Sequence, residues 1–346
     1  GLAAWILLRS FFPGPSIPWT PEMTTASRTM ASTVSALSRH CRELGIQPVP
    51  GLDPNGTCLV GPELSPLVTS LGQLEAKRTT TNPDVAGLLV HLLKEAGVEL
   101  GDVVAIGASG SFPALLLATL AAVDALGARP RTILSLGASS YGATRPEHHL
   151  LDLHGFLEGT GLVSGPPLAV SLGGEGDEGE NMDPGFRTGL LEELRESEIR
   201  MLLGPDLRSN VEERMALYGS PAAFVNIGGA EATMGVSPKV LSVPPGLVEE
   251  GVEPPSREQR GVLFEMLGRG VPVLHLLHVR GLVLRYDLPW DPRPLPQPGS
   301  AVFRDGRAEK GVGFWLLSGA YVGGLILVAF GRAPGRKGKD QDQTVR

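Results

Sequence analysis

From residue 85 onward the apolar positions fall into two rhythms that exchange places along the chain. Leu88, Leu89, Leu92 and Leu93 recur at helical spacing and predict a helix over 85–96, stopped by Gly97. A short unbroken apolar run then predicts a strand over 103–106. The exchange continues with helix 113–126, strand 131–136, helix 146–157, strand 168–172, helix 186–197, strand 199–203, helix 211–218, strand 223–227, helix 257–267 and strand 271–277. Strands alternating with helices in this way predict an α/β fold: a mostly parallel, doubly wound sheet with helices on both faces. Four of the strands run out into glycine-bearing turns, at 107–111, 137–142, 173–174 and 228–229. In a parallel sheet such turns share one edge and border one cleft.

The flanks follow other patterns. Residues 13–28 are rich in Pro, Ser and Thr and read as a linker, followed by a helix over 29–45 with Met30, Val34, Leu37 and Cys41 on one stripe. A short strand is expected at 56–61. Asn82, Pro83 and Asp84 have the order of an N-cap, a first-turn proline and a first-turn acid. Prolines dominate 280–298, which reads as an extended arm leading out of the domain. Residues 311–331 are apolar and uncharged for about the length that spans a bilayer as a helix, with Trp315 near one end and Gly319 and Gly323 at GxxxG spacing. Arg332, Arg336, Lys337, Lys339 and Arg346 follow, so the positive-inside rule places the tail in the cytoplasm and the α/β domain outside. The apolar stretch 1–12 reads as the end of a further membrane or signal segment. The expected organisation is thus 1–12 membrane segment, 13–54 linker and helix, 55–298 α/β domain, 311–331 transmembrane helix and 332–346 basic tail.

Composition narrows the picture. The 346 residues include 46 Gly, 30 Pro and only 5% aromatics, which suits an α/β fold with many turns. A net charge of −7 and the lack of a basic stripe argue against a nucleic-acid partner. Cys41 and Cys58 do not form a CxxC pair, which argues against zinc. They either join as a disulfide outside the cytoplasm or sit apart as small apolar side chains.

Chemistry concentrates at the strand-end turns. Ser109 occupies a strand–turn–helix apex like a nucleophile elbow, although the pattern is G-x-S-x-S rather than G-x-S-x-G. A serine nucleophile needs a base, for which His275 and the nearby His278 are candidates, with Glu231 as a candidate acid or base. The competing reading uses Gly107, Ser109, Gly110 and Ser111, with Ser139, Asn226, Gly228 and Gly229, as hydrogen-bonding groups for an anionic ligand. Lys77, Arg78 and Thr79 precede a helix start and add cations for the same ligand. Glu175, Asp177, Glu178, Glu180 and Asp183 lack calcium-loop spacing and read as a solvated acidic loop. The chain contains no GxxxxGK[ST] run and no GxGxxG after a strand, so neither a P-loop nucleotide nor a dinucleotide cofactor is expected.

Several long runs are similar to the bacterial poly-gamma-glutamate system protein family. They include Gly61-Pro62-Glu63-Leu64-Ser65-Pro66, Leu74-Glu75-Ala76-Lys77-Arg78-Thr79-Thr80-Thr81-Asn82-Pro83 and Val104-Ala105-Ile106-Gly107-Ala108-Ser109-Gly110-Ser111-Phe112-Pro113-Ala114. Ser135-Leu136-Gly137-Ala138-Ser139-Ser140, Phe224-Val225-Asn226-Ile227-Gly228-Gly229 and Leu288-Pro289-Trp290-Asp291-Pro292 continue the likeness, which covers about residues 55–295. The resemblance implies a membrane-associated accessory of synthesis or export of a gamma-linked glutamate polymer, with the polymer or a glutamyl intermediate and other membrane subunits as partners. It implies no catalytic residues. Three functions are therefore expected: a binder of the anionic polymer, a serine hydrolase or transferase acting on a gamma-glutamyl amide, or a scaffold for a membrane synthase.

Overall fold

The computed structural model describes residues 16–248, 252–304, 316 and 318–324. Two compact units are present, one formed by Pro18–Phe303 and one by the two chain ends. In the second unit Ser16 and Arg304 form an antiparallel bridge, and 318–324 are helical. The expected segments 1–12 and 332–346, and most of 311–331, lie outside the described residues. Among the described residues no helix is long and apolar enough to cross a membrane.

The large unit is a mixed α/β structure around a mostly parallel sheet. Among the described residues ten strands occur in chain order: β1 (Val68–Ser70), β2 (Val103–Ser109), β3 (Arg129–Ser135), β4 (Ala138–Ser139), β5 (Thr144–Arg145), β6 (His148–His149), β7 (Ala169–Ser171), β8 (Ala223–Ile227), β9 (Gly246–Val248) and β10 (Val273–Leu276). The main sheet has the order β7-β3-β2-β8-β10-β9, with β9 alone antiparallel. The chain winds outward from β2 through β3 to β7, then returns to the other side of β2 for β8 and β10. The winding direction therefore reverses between β2 and β8, where an open α/β sheet forms its ligand crevice.

Side-chain alternation along the strands buries both faces. On one face Ala105, Ile133, Phe224 and Val273 join Val211, Met215 and Tyr218 of helix Leu207–Tyr218 and Phe264 and Met266 of helix Val262–Gly268. The Tyr218 hydroxyl donates to the Ile106 carbonyl at 3.0 Å, tying this helix to the sheet. Val104, Ile106 and Ala108 alternate with Ala105 and Gly107 and are also buried. Helix Pro113–Ala125 contacts β2, β3 and β8 and is packed in turn by helices Pro21–Glu43 and Asp84–Glu95. It is buried on nearly every side, which matches its all-round apolar sequence.

The structure corrects several expectations at the flanks. The first described helix begins at Pro21 rather than 29. Thr20 caps it by accepting from the Met23 amide, and Pro21 fills the first turn, so residues that read as linker are a helix start. Residues 56–61 form a loop, because the Asp53 carboxylate binds the Thr57 hydroxyl and the Cys58 amide and holds the chain out of a ladder. Residues 199–203 contribute a single bridge, Met201 to Val170. The proline-rich arm does not lead out of the domain. Its Gly299 and Ala301 amides donate to the buried Asp84 carboxylate at 2.7 and 2.8 Å, and Asn55 donates to the Pro292 carbonyl. Asp84 is thus an anchor for the arm as well as the first residue of its helix.

Candidate functional site

At the switch point between β2 and β8 the strand-end turns press against one another. Gly107 stands in register with Asn226, and Ala108 with Ile227. Beyond them the chain turns at Gly228, whose φ of +80° favours glycine. A Cβ at Gly228 would collide with the Ser109 hydroxyl, so the missing side chain also lets the two turns meet. Ser109 donates from Oγ to the Ile227 carbonyl at 3.4 Å and accepts from the Ser111 amide at 3.4 Å. The next turn is drawn in the same way. Gly110 donates to the carbonyls of Ser135 and Gly137, and the Ser139 amide donates to Ser111 Oγ at 3.0 Å. Gly107, Ser109, Gly110, Ser111, Ser139, Asn226 and Gly228 are therefore brought together or stand in direct register, while Gly229 is exposed.

Lys77 enters this group from the short helix Leu74–Thr80. The helix is packed on all sides through Ala76–Thr80, and Lys77 is 2% exposed. Its Nζ meets Ser139 Oγ at 2.6 Å, the Ser111 carbonyl, and the face of the Phe112 ring at 3.8 Å from the centroid. No carboxylate pairs with it among the described residues. Burial alone pushes its amine down to about 7.

The neighbouring cations are spent elsewhere. Arg78 grips Asp291 of the proline arm through two bonds of 2.6 and 2.8 Å, and Arg293 meets the same carboxylate. These contacts hold the Asp291 carboxyl below its usual range against the opposing effect of burial. Thr79 donates to the Glu75 carbonyl and accepts from the Asp291 amide at 2.8 Å. Arg78 and Thr79 thus form a clamp for the arm rather than an open patch beside Lys77.

The expected acid–base partners of Ser109 do not gather on it. His275 is buried on β10, with Nδ1 3.0 Å from the Asn226 amide nitrogen, which donates to it. Burial presses its imidazole down to about 4, so it stays neutral near pH 7. Asn226 also donates to the Gly228 carbonyl, so the pair fixes the β8 turn. Glu231 accepts from the Gly176 amide at 2.9 Å and pins the acidic turn.

That turn is not simply solvated. Asp177 is fully buried against Arg214, with a closest approach of 2.7 Å. Ser171 donates to Asp177 at 2.8 Å, and Arg214 donates to Ser171 at 2.7 Å. Burial pushes the Asp177 carboxyl up, while the guanidinium pulls it back. Asp183 caps helix Pro184–Glu196, and Glu175, Glu178 and Glu180 are exposed. Cys41, on helix Pro21–Glu43, and Cys58 are joined as a disulfide.

The arrangement can therefore do two things chemically. Its hydroxyls can hold a polar ligand at the sheet edge. A serine hydroxyl also lies within hydrogen-bond reach of a buried amine that titrates near neutral pH. The second feature escaped the sequence reading, which placed Lys77 and Ser139 in separate motifs. No family model, curated protein or solved structure matches this chain.

Proposed function

We propose that the crevice between β2 and β8 takes a gamma-linked glutamyl polymer or a glutamyl intermediate, in a domain that works outside the cytoplasm and is tethered through residues 311–331. The observation that carries this reading is the closure of three strand-end turns on one another, with Gly228 against Ser109, Ser109 bonded to Ser111 and Ser111 bonded to Ser139 beside the switch point. Such a crevice is where an open parallel sheet binds ligands. The ligand class rests on the resemblance of 55–295 to the polyglutamate-system family. The outward placement is supported by the Cys41–Cys58 bond, because disulfides persist in oxidising compartments. Since Arg78 and Arg214 are internally paired, recognition rests on hydroxyls, backbone amides and Lys77.

Calorimetric titration of the protein with oligo-gamma-glutamate tests this reading. Binding to the wild-type chain and a loss of at least about tenfold in Ser111→Ala with Ser109→Ala are expected, roughly the effect of removing hydrogen bonds to a charged ligand. Equal affinity of the double variant, or no heat with the wild type, contradicts the assignment.

A further inference from the structure

We propose that Ser139 is a nucleophile and Lys77 its general base, so that this pair forms and breaks acyl bonds to amines beside the strand-end turns. The assignment of a glutamyl amide as substrate rests on the proposed function above, whereas the serine–lysine chemistry rests on geometry alone. Lys77 Nζ lies 2.6 Å from Ser139 Oγ, the reach of a proton transfer. The amine is held by groups that tolerate either protonation state: a hydroxyl, a carbonyl and an aromatic face. A lysine kept only for structure is normally paired when buried, and this one is not. Access comes from the side of Gly72. A Cβ there would lie 2.5 Å from the Ser140 carbonyl, 3.1 Å from Ser139 Oγ and 3.2 Å from Lys77 Cε, so only a glycine fits between the buried pair and the surface. A pocket of about 560 Å³ opens directly outside, lined by Leu71–Glu75 and Tyr141.

The reaction balances with water or a second amine as the only co-reactant. Neutral Lys77 takes the Ser139 proton as Oγ attacks the amide carbonyl carbon. The carbon–nitrogen bond then breaks, the Lys77 ammonium gives its proton to the departing amine, and an ester on Ser139 remains. Water or an acceptor amine attacks the ester, Lys77 takes its proton, and that proton returns to Ser139 Oγ as the ester opens. Water gives hydrolysis and an amine gives transfer.

The charged and titratable groups around Lys77 leave its own proton as the one that matters. Glu75 and Arg78 share its helix, Arg78 is bound to Asp291 of the arm, and Glu63 acts on Tyr141 at the pocket rim. Burial alone lowers Lys77.

The test is covalent labelling of the full chain with a fluorophosphonate and with an activated aryl ester, followed by intact and peptide mass spectrometry. The expected result is one adduct on Ser139, formed at a rate that rises through a midpoint of about 7. Ser139→Ala abolishes it, and Lys77→Met slows it by at least about 100-fold. Circular dichroism confirms that each variant is folded. An adduct elsewhere, no adduct in the folded wild type, or unchanged labelling in Lys77→Met overturns the proposal. Binding of oligo-gamma-glutamate without a Ser139 adduct rejects the nucleophile and leaves the binding crevice standing. A Ser139 adduct without polymer binding or cleavage keeps the nucleophile and rejects the glutamyl substrate.

Discussion

Lys77 and Arg214 are both buried cations in one α/β unit, and they are treated in opposite ways. Arg214 is enclosed with Asp177, and two serine hydroxyls complete the network. Its charge is matched, so the group works as an internal tie between helix Leu207–Tyr218, β7 and the turn after β7. Among the described residues Lys77 has no acid beside it and meets a hydroxyl, a carbonyl and a ring. Burying an unmatched amine costs stability, and the protein lowers that cost by letting the amine lose its proton near neutral pH. The contrast separates a charge retained for architecture from a base retained for chemistry.

The largest expected effect comes from breaking the matched pair. Arg214→Met leaves Asp177 buried and uncompensated and costs about 3–5 kcal/mol, read by urea denaturation. Adding Asp177→Asn to that variant recovers part of the loss, because the stranded charge is gone. A double variant no more stable than the single one would erase the distinction drawn between the two cations.

Lys77→Met is expected to behave in the reverse manner. The folded-state amine has its proton affinity lowered from 10.5 to about 7, so between those values the unfolded chain binds more protons than the folded one. Wild-type stability therefore gains from Lys77 as pH rises through that window and lacks that gain below it. The variant is expected to match or exceed wild-type stability at pH 6, with its advantage shrinking toward pH 10. Denaturation midpoints across that range check the sign.

Smaller effects sharpen the picture around the two sites. Arg78→Lys loses the two-pronged grip on Asp291 and is expected to cost about 1 kcal/mol while leaving Ser139 chemistry in place. His275 is lowered from 6.5 to about 4, so the folded state loses stability as pH falls through that interval. His275→Gln is expected to shallow this acid limb without changing labelling at Ser139.

Much of the α/β pattern was legible because a helix or strand with one apolar face carries its period in the sequence. The runs at 103–106, 131–136 and 223–227 lie within or overlap strands of the parallel sheet. Residues that are buried all round carry no such signal. Lys77-Arg78-Thr79-Thr80 looks like a solvated helix start, yet all four side chains are enclosed beneath the arm and the strand-end loops. Arg214 sits beside Glu212 and Glu213 and reads as surface charge, while Asp177 is hidden in an acidic run. The Lys77–Ser139 pair joins positions 62 residues apart, and the β1–β4 pairing helps bring those turns together. Such a juxtaposition follows from topology, which local periodicity does not encode.

The central claim is that Lys77 stands ready to take a proton from Ser139 near neutral pH. Its direct measure is the titration of the Lys77 side chain by NMR, with the resonance assigned by its loss in Lys77→Met. A midpoint near 7 in the folded protein is the predicted result. A midpoint close to 10.5, the ordinary lysine value, contradicts it.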